Sequence, residues 1–211
     1  MYRPACERTG WALTARGSCG RLNTTEELSV KTGMPWPARH RTALTVALPG
    51  VLVAAAFLHP AQFHLLWPGA AVALLGQSLR LWAAGCLHKD SEITTRGPFA
   101  FTRNPLYLGS FVIGLGHCLM SGLLWSAVLL PLFWAVYHPT IRHEEGFLRR
   151  KFGEAYDAYC HQTPRLFPRV PPRELLRTGF SWSQLRRNRE YEALIANAVA
   201  ALLFALAARG G

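Results

Sequence analysis

Residues 104–141 read NPLYLGSFVIGLGHCLMSGLLWSAVLLPLFWAVYHPTI, 38 residues without one Asp, Glu, Lys or Arg. As one helix, the apolar part from residue 106 to residue 138 would be about 50 Å long at 1.5 Å per residue. A hydrocarbon core of about 30 Å needs only some 20 residues. The stretch is too long for a single crossing, and Ser121-Gly122 near its middle is the natural turn of a helical hairpin. A second uncharged run of 38 covers residues 42–79. With only 17% of 211 residues charged, there is too little charge for an ordinary soluble surface. The pattern is that of an all-α, polytopic integral membrane protein.

Lys and Arg number 23 against 12 Asp and Glu, a net charge of +11. Such an excess suits a nucleic-acid binder as well as a membrane protein, and position separates the two. Seven basic residues precede Thr42, three lie in residues 89–103 and eleven in residues 142–189, leaving only Arg80 and Arg209. The two bare connections, residues 59–62 and the Ser121-Gly122 turn, lie between members of each hydrophobic pair. By the positive-inside rule the basic segments face the cytoplasm, the inner membrane's cytoplasmic side if the cell is bacterial. Membrane lipids, not nucleic acid, are the expected partners of these charges.

Five crossings follow: residues 43–58 with an interruption at Pro49-Gly50, residues 63–87, the two arms of the hairpin, and a short last one at residues 193–208. Arg80 falls near the cytoplasmic end of the second, where it either snorkels to the headgroups or serves function. Between residues 142 and 159, Phe147, Leu148, Phe152, Tyr156 and Tyr159 recur at helical spacing, which predicts an amphipathic cytosolic helix. Three regions result: a disordered extension over residues 1–38, a core with a cofactor pocket over 39–170, and an amphipathic segment with the final crossing over 171–211. Met34, just before a membrane-proximal basic segment, is a candidate start of translation. The cysteines Cys6, Cys19, Cys86, Cys118 and Cys160 form no C-x-x-C and imply neither zinc nor disulfides. The sequence leaves oligomeric state open.

Familiar catalytic motifs are missing. Gly114 and Gly116 lack the third glycine and preceding strand of a dinucleotide fold and read as helix packing. His143-Glu144 begins like a zinc-protease motif, but Phe147 stands where the second histidine belongs, so no metal is expected. Polar and turn residues are instead dense on one cytoplasmic rim, from Ser91 to Tyr107 and again at Arg142, Glu144 and Glu145. The hairpin brings these two groups together, which makes a pocket.

At this rim the sequence resembles the isoprenylcysteine carboxyl methyltransferases and their bacterial relatives, among them phospholipid N-methyltransferases. The resemblance lies in Arg96-Gly97-Pro98-Phe99, Arg103-Asn104-Pro105-Leu106-Tyr107-Leu108-Gly109, Glu144-Glu145, Phe152-Gly153-Glu154 with Tyr156 and Tyr159, and Pro164-Arg165 before Pro168. It spans roughly residues 75 to 170. Asn104 stands where the family usually has His, and Phe99 where it usually has Tyr. Both replacements keep contact chemistry, an amide and a ring, better than proton transfer.

The resemblance implies S-adenosylmethionine as cofactor, bound by Ser91, Glu92, Ile93, Thr94, Phe99, Asn104, Pro105, Leu106, Tyr107 and Glu144. Glu144 would meet the cofactor's amino group or ribose, and Phe99 or Tyr107 its adenine or sulfonium. Arg142 and Glu145 are the candidate catalytic residues. Arg142 either orients an anionic acceptor or is a topology charge; Glu145 alternatively pairs with Arg103. Likewise, Pro105 has a plain role as a helix start and Tyr107 as an interfacial aromatic. The implied reaction is methylation of a lipophilic or lipid-modified acceptor, foremost an isoprenylcysteine-like or isoprenoid carboxylate. The alternatives are a phospholipid amine and an NADPH-dependent reductase of the sterol type, which shares an Arg-x-Pro-x-x-Tyr-like loop.

Overall fold

The computed structural model describes residues 11–13, 19–21, 41–58, 63–88, 92–123, 126, 128–176 and 179–210. Eight α-helices account for most of them: α1 (Arg41–Leu58), α2 (Phe63–Cys86), α3 (Pro98–Phe101), α4 (Pro105–Ser121), α5 (Leu129–Phe152), α6 (Glu154–Gln162), α7 (Trp182–Arg187) and α8 (Glu190–Gly210). A 3-10 turn, Arg173–Leu176, precedes α7. The exception to helix is a short antiparallel ribbon of β1 (Trp11–Leu13) and β2 (Cys19–Arg21), with Ala12 opposite Gly20. Met34, the connection at residues 59–62 and Ser91 lie outside the described residues.

The centre of the fold is the pair α2 and α4. Gly76 meets Gly109 and Gly69 meets Gly116, so contacts advance along one helix as they retreat along the other, an antiparallel crossing. The backbones approach so closely that a Cβ on Gly76 would sit 2.7 Å from the Gly109 carbonyl oxygen. One on Gly116 would lie 2.6 Å from the Ala73 amide nitrogen. Small residues at such a seam trade side-chain area for backbone contact, as in helix pairs that pack within lipid. Gly116 thus confirms the packing expected of it, whereas Gly114 has nothing within 4 Å of its hypothetical Cβ.

The hairpin expected from residues 106–138 is present. Gly122, at φ 67, closes α4 in the left-handed conformation that glycine adopts without strain, and its amide donates to the Leu119 carbonyl. The chain then returns: Tyr107 packs edge-on against Tyr137 at 5.3 Å and Phe111 against Phe133 at 5.9 Å. At the far end of α2 and α4, Leu52, Val53, Ala56, Leu66, Cys118, Met120, Phe204 and Ala207 form an apolar core that joins α1 and α8 to the pair.

Three boundaries differ from the sequence expectation. Pro49-Gly50 does not interrupt the first helix; Pro49 sits inside α1, where the proline costs a hydrogen bond without breaking the turn. The amphipathic helix expected at residues 142–159 is not a separate element. α5 runs from the hydrophobic arm straight through to Phe152, and Gly153 (φ 55) ends it before α6 begins. The last helix is longer than expected, beginning at Glu190 rather than near residue 193.

Among the described residues one segment, Glu190–Arg209 in α8, has both the length and the apolar character to cross a bilayer. α4 is apolar over its 17 residues, about 25 Å. Large apolar side chains are exposed on several helices, among them Val51, Phe57 and Leu58 on α1, Trp67, Leu74 and Leu75 on α2, Leu132 on α5, and Ile195, Val199 and Leu202 on α8. A surface of this kind needs an apolar surrounding.

Candidate active site

Pro105 occupies the first turn of α4, where its missing N–H costs nothing, and Asn104 is the residue before it. The α4–α5 hairpin then carries the chain back so that Glu145, on α5, returns to the level of Asn104. Glu145 is buried and forms the hub of a polar cluster. Its Oε1 accepts from Asn104 Nδ2 at 3.3 Å and pairs with Arg103 Nη2 at 3.3 Å. Its Oε2 accepts from Arg165 Nε at 2.8 Å and pairs with Arg165 Nη2 at 2.8 Å. One carboxylate therefore holds two guanidiniums and an amide from two separate segments.

Backbone bonds tie the same segments together. The Arg103 amide donates to the Pro164 carbonyl at 2.9 Å, and Asn104 Nδ2 and Thr102 Oγ1 each donate to the Arg165 carbonyl at 3.0 Å. The Arg169 amide reaches the Phe101 carbonyl at 3.0 Å. Tyr159, from α6, donates its hydroxyl to the Phe99 carbonyl at 2.7 Å. Burial, reinforced by the Glu145 carboxylate, pushes the Tyr156 hydroxyl above its usual value, and burial beside Tyr156 does the same for Tyr159. Both hydroxyls therefore stay protonated through the physiological range. Tyr159→Phe is expected to cost about 1 kcal/mol, one neutral hydrogen bond, read as a lowered midpoint in detergent unfolding.

A cavity of about 380 Å³ is lined by Cys86, His88, Glu92, Ile93, Thr94, Thr95, Arg96 and Gly179. His88 Nδ1 stands 3.1 Å from the Cys86 carbonyl and 3.4 Å from Glu92 Oε1. The wall at Gly179 comes from the carboxyl-terminal segment, which docks on α2 through a bond from the Ser181 amide to the Gly85 carbonyl at 3.0 Å.

The residues expected at the site thus fall into two groups. Glu92, Ile93 and Thr94 line the cavity. Asn104 and Glu145 belong to the polar cluster, and Pro105 starts its helix. Phe99 is buried with its carbonyl bound by Tyr159, and Tyr107 stacks against Tyr137. Leu106 and Glu144 are half-buried and Arg142 is exposed. Arg165 was quoted for the resemblance without being given a role, although its position between two prolines was the available signal. His88, Thr95 and Arg96 carried no sequence signal for the cavity beyond lying in the same polar connection.

The cluster also holds an orphaned donor. Arg103 Nε is buried and makes no hydrogen bond, although the same guanidinium is paired through Nη2. A buried donor without a partner costs roughly 1–3 kcal/mol unless something supplies an acceptor. The cavity falls within the roughly 300–1,000 Å³ range of small-molecule sites and mixes hydroxyls, charge and an apolar wall.

The sequence profile of the phospholipid methyltransferase family matches residues 67–155, a span that holds α2, the motif-bearing loop, the hairpin and Glu145. The protein-S-isoprenylcysteine O-methyltransferase of Schizosaccharomyces pombe is 33% identical over 97 residues, 46% of this chain and 41% of that protein. The resemblance to these methyltransferases thus covers less than half of the chain. Two further relatives are the nickel-cobalt-cadmium resistance protein NccN of Alcaligenes xylosoxydans xylosoxydans and the cobalt-zinc-cadmium resistance protein CzcN of Cupriavidus metallidurans. The first is 34% identical over 143 residues, 63% of this chain and 66% of its own length. The second is 35% identical over 118 residues, 52% of each. The chain therefore spans between about two fifths and just under two thirds of the relatives it matches. No solved structure matches it. Among the described residues no group of three or more His, Cys, Asp or Glu is placed to hold a metal ion.

Proposed function

We propose that the protein transfers the methyl group of S-adenosylmethionine to a lipophilic acceptor at the cytoplasmic face of a membrane. The acceptor is a carboxylate on an isoprenylcysteine-like or isoprenoid molecule. The observation that carries this is the convergence of Arg103, Asn104, Glu145 and Arg165 on one buried cluster, while the chain segment that leads into it, residues 92–96, lines a cavity of cofactor size. In this reading α1, α2, α4, the apolar part of α5 and α8 are the five crossings.

When bound, the cofactor supplies an electrophilic methyl on a sulfonium. The hydroxyls of Thr94 and Thr95 and the Glu92 carboxylate hold its polar edges, Ile93 its apolar surface, and Arg103 Nε gives a hydrogen bond to an anionic oxygen. Asn104 and Glu145 position that guanidinium. Glu144 holds the cofactor's amino group or ribose, and Arg142, exposed on α5, orients an anionic acceptor. Both oxygens of Glu145 are occupied by guanidinium partners. A carboxylate acceptor is already ionised at neutral pH and needs no base, only alignment. An amine of pKa near 10 would have to lose a proton first, which supports the carboxylate over the amine.

The phospholipid methyltransferase match keeps a phospholipid amine as the second reading. Purified protein in detergent is titrated separately with S-adenosylmethionine and NADPH, then given labelled methyl donor with a farnesylcysteine analogue or phosphatidylethanolamine vesicles. The expected result is saturable binding of S-adenosylmethionine and a base-labile methyl ester on the cysteine analogue. A base-stable methylamine moves the reading to the phospholipid. Saturable NADPH binding without S-adenosylmethionine binding overturns methyl transfer altogether.

A further inference from the structure

Arg80 does not snorkel to the headgroups. Its side chain is 18% exposed, and its partner Glu190, the first residue of α8, is 6% exposed. Nε and Nη2 of Arg80 donate to the two oxygens of Glu190 at 2.6 and 3.0 Å, the planar bidentate arrangement that Lys cannot reproduce. The remaining nitrogen, Nη1, donates to Ser110 Oγ and, at 3.4 Å, to the Leu106 carbonyl. Ser110 Oγ donates to that same carbonyl at 3.0 Å. Gly109 makes room for this reach, because a Cβ there would lie 2.5 Å from Arg80 Cγ. Leu106 is in the first turn of α4, directly after Asn104 and Pro105. The guanidinium therefore joins the start of α8 to the turn that carries the family motif.

Two further contacts set the register of this junction on α2. Asn188, just before α8, donates to the Ala84 and Leu87 carbonyls at 2.8 and 3.0 Å, next to Cys86 and His88 of the cavity. Asn197, two turns into α8, donates to Gln77 Oε1 at 2.6 Å. α8 itself lies outside the span that matches the family profile.

We propose that Glu190 is a positioning residue for the candidate active site, acting through Arg80 to hold the first turn of α4 against α2. The alternative role is an anchor that merely keeps α8 on the bundle. The proposal rests on the methyl-transfer reading for its kinetic readout, but not for its structural one.

The test uses the full chain in detergent with Glu190→Gln, Arg80→Lys, Ser110→Ala and Glu190→Asp. Amide hydrogen exchange and S-adenosylmethionine titration are measured for each, with helicity by circular dichroism as the folding control. Glu190→Gln and Arg80→Lys should speed exchange at residues 106–110 and weaken cofactor binding about tenfold, the effect of one charged hydrogen bond. Glu190→Asp, which keeps the charge, should recover part of both. If Glu190→Gln does not fold, Ser110→Ala still reports, because it removes one partner of the same guanidinium and should loosen residues 106–110 without touching α8. Faster exchange confined to α8, with residues 106–110 as protected as in the wild type, makes Glu190 an anchor and overturns the proposal. If the wild type binds no S-adenosylmethionine while exchange at residues 106–110 still depends on Glu190, the positioning role stands and the methyl-transfer reading fails.

Discussion

Glu145→Leu is expected to destabilise the protein by about 3–5 kcal/mol and to abolish turnover, the largest effect of any single change considered for this chain. The magnitude follows from what is left behind. Arg103, 10% exposed, loses its carboxylate partner, and Arg165 loses both bonds of its fork. Removing one member of a buried ion pair costs more than the pair contributed, because the remaining charge stays desolvated. Arg165 is the more forgiving side. Arg165→Met leaves the buried Glu145 carboxylate with Arg103 and Asn104 as partners, so it should cost about 1–3 kcal/mol, less than the loss of the hub itself. Unfolding midpoints of both variants in one detergent measure the contrast. Equal losses would mean that Glu145 is not the hub of the cluster.

Gly76→Ala and Gly116→Ala come next, with an expected loss of about 1–3 kcal/mol each, the range for overpacking a tight interface. In both cases the new methyl meets backbone, the Gly109 carbonyl in one and the Ala73 amide in the other, and backbone cannot rotate away as a side chain can. Gly114→Ala is the control. Its methyl meets nothing within 4 Å, so helix propensity alone acts and the variant should be neutral or up to about 1 kcal/mol more stable. The same detergent unfolding series ranks the three. A stable Gly116→Ala would show that α2 and α4 are not in backbone contact there. Because α2 leads into the cavity at Cys86 and α4 begins at Asn104, a shifted crossing should also weaken cofactor binding.

Helical class, the hairpin and the clustering of charge could be read from composition and period, because each depends on local properties of the chain. An uncharged run longer than a bilayer must fold back whatever it packs against, and Ser121-Gly122 stands near its middle. The motif residues were legible as well, since Asn104 and Glu145 lie on two arms that the hairpin forces to one end. Helix boundaries were less so. Whether Pro49 breaks α1, or whether α5 stops before Arg142, depends on neighbours that compensate a lost bond or extend a turn.

What the sequence by itself determined is a helical, lipid-suited chain with one polar rim that carries family motifs. Only the tertiary structure decided who pairs with whom. Arg80 and Glu190 are 110 positions apart, and Glu145 chooses among several guanidiniums of equal charge. Spacing along the chain says nothing about such choices. The crossing of α2 and α4 at Gly76 and Gly109 brings Arg80 within reach of the start of α4, and the hairpin's return, with the segment after α6, sets the partners of Glu145.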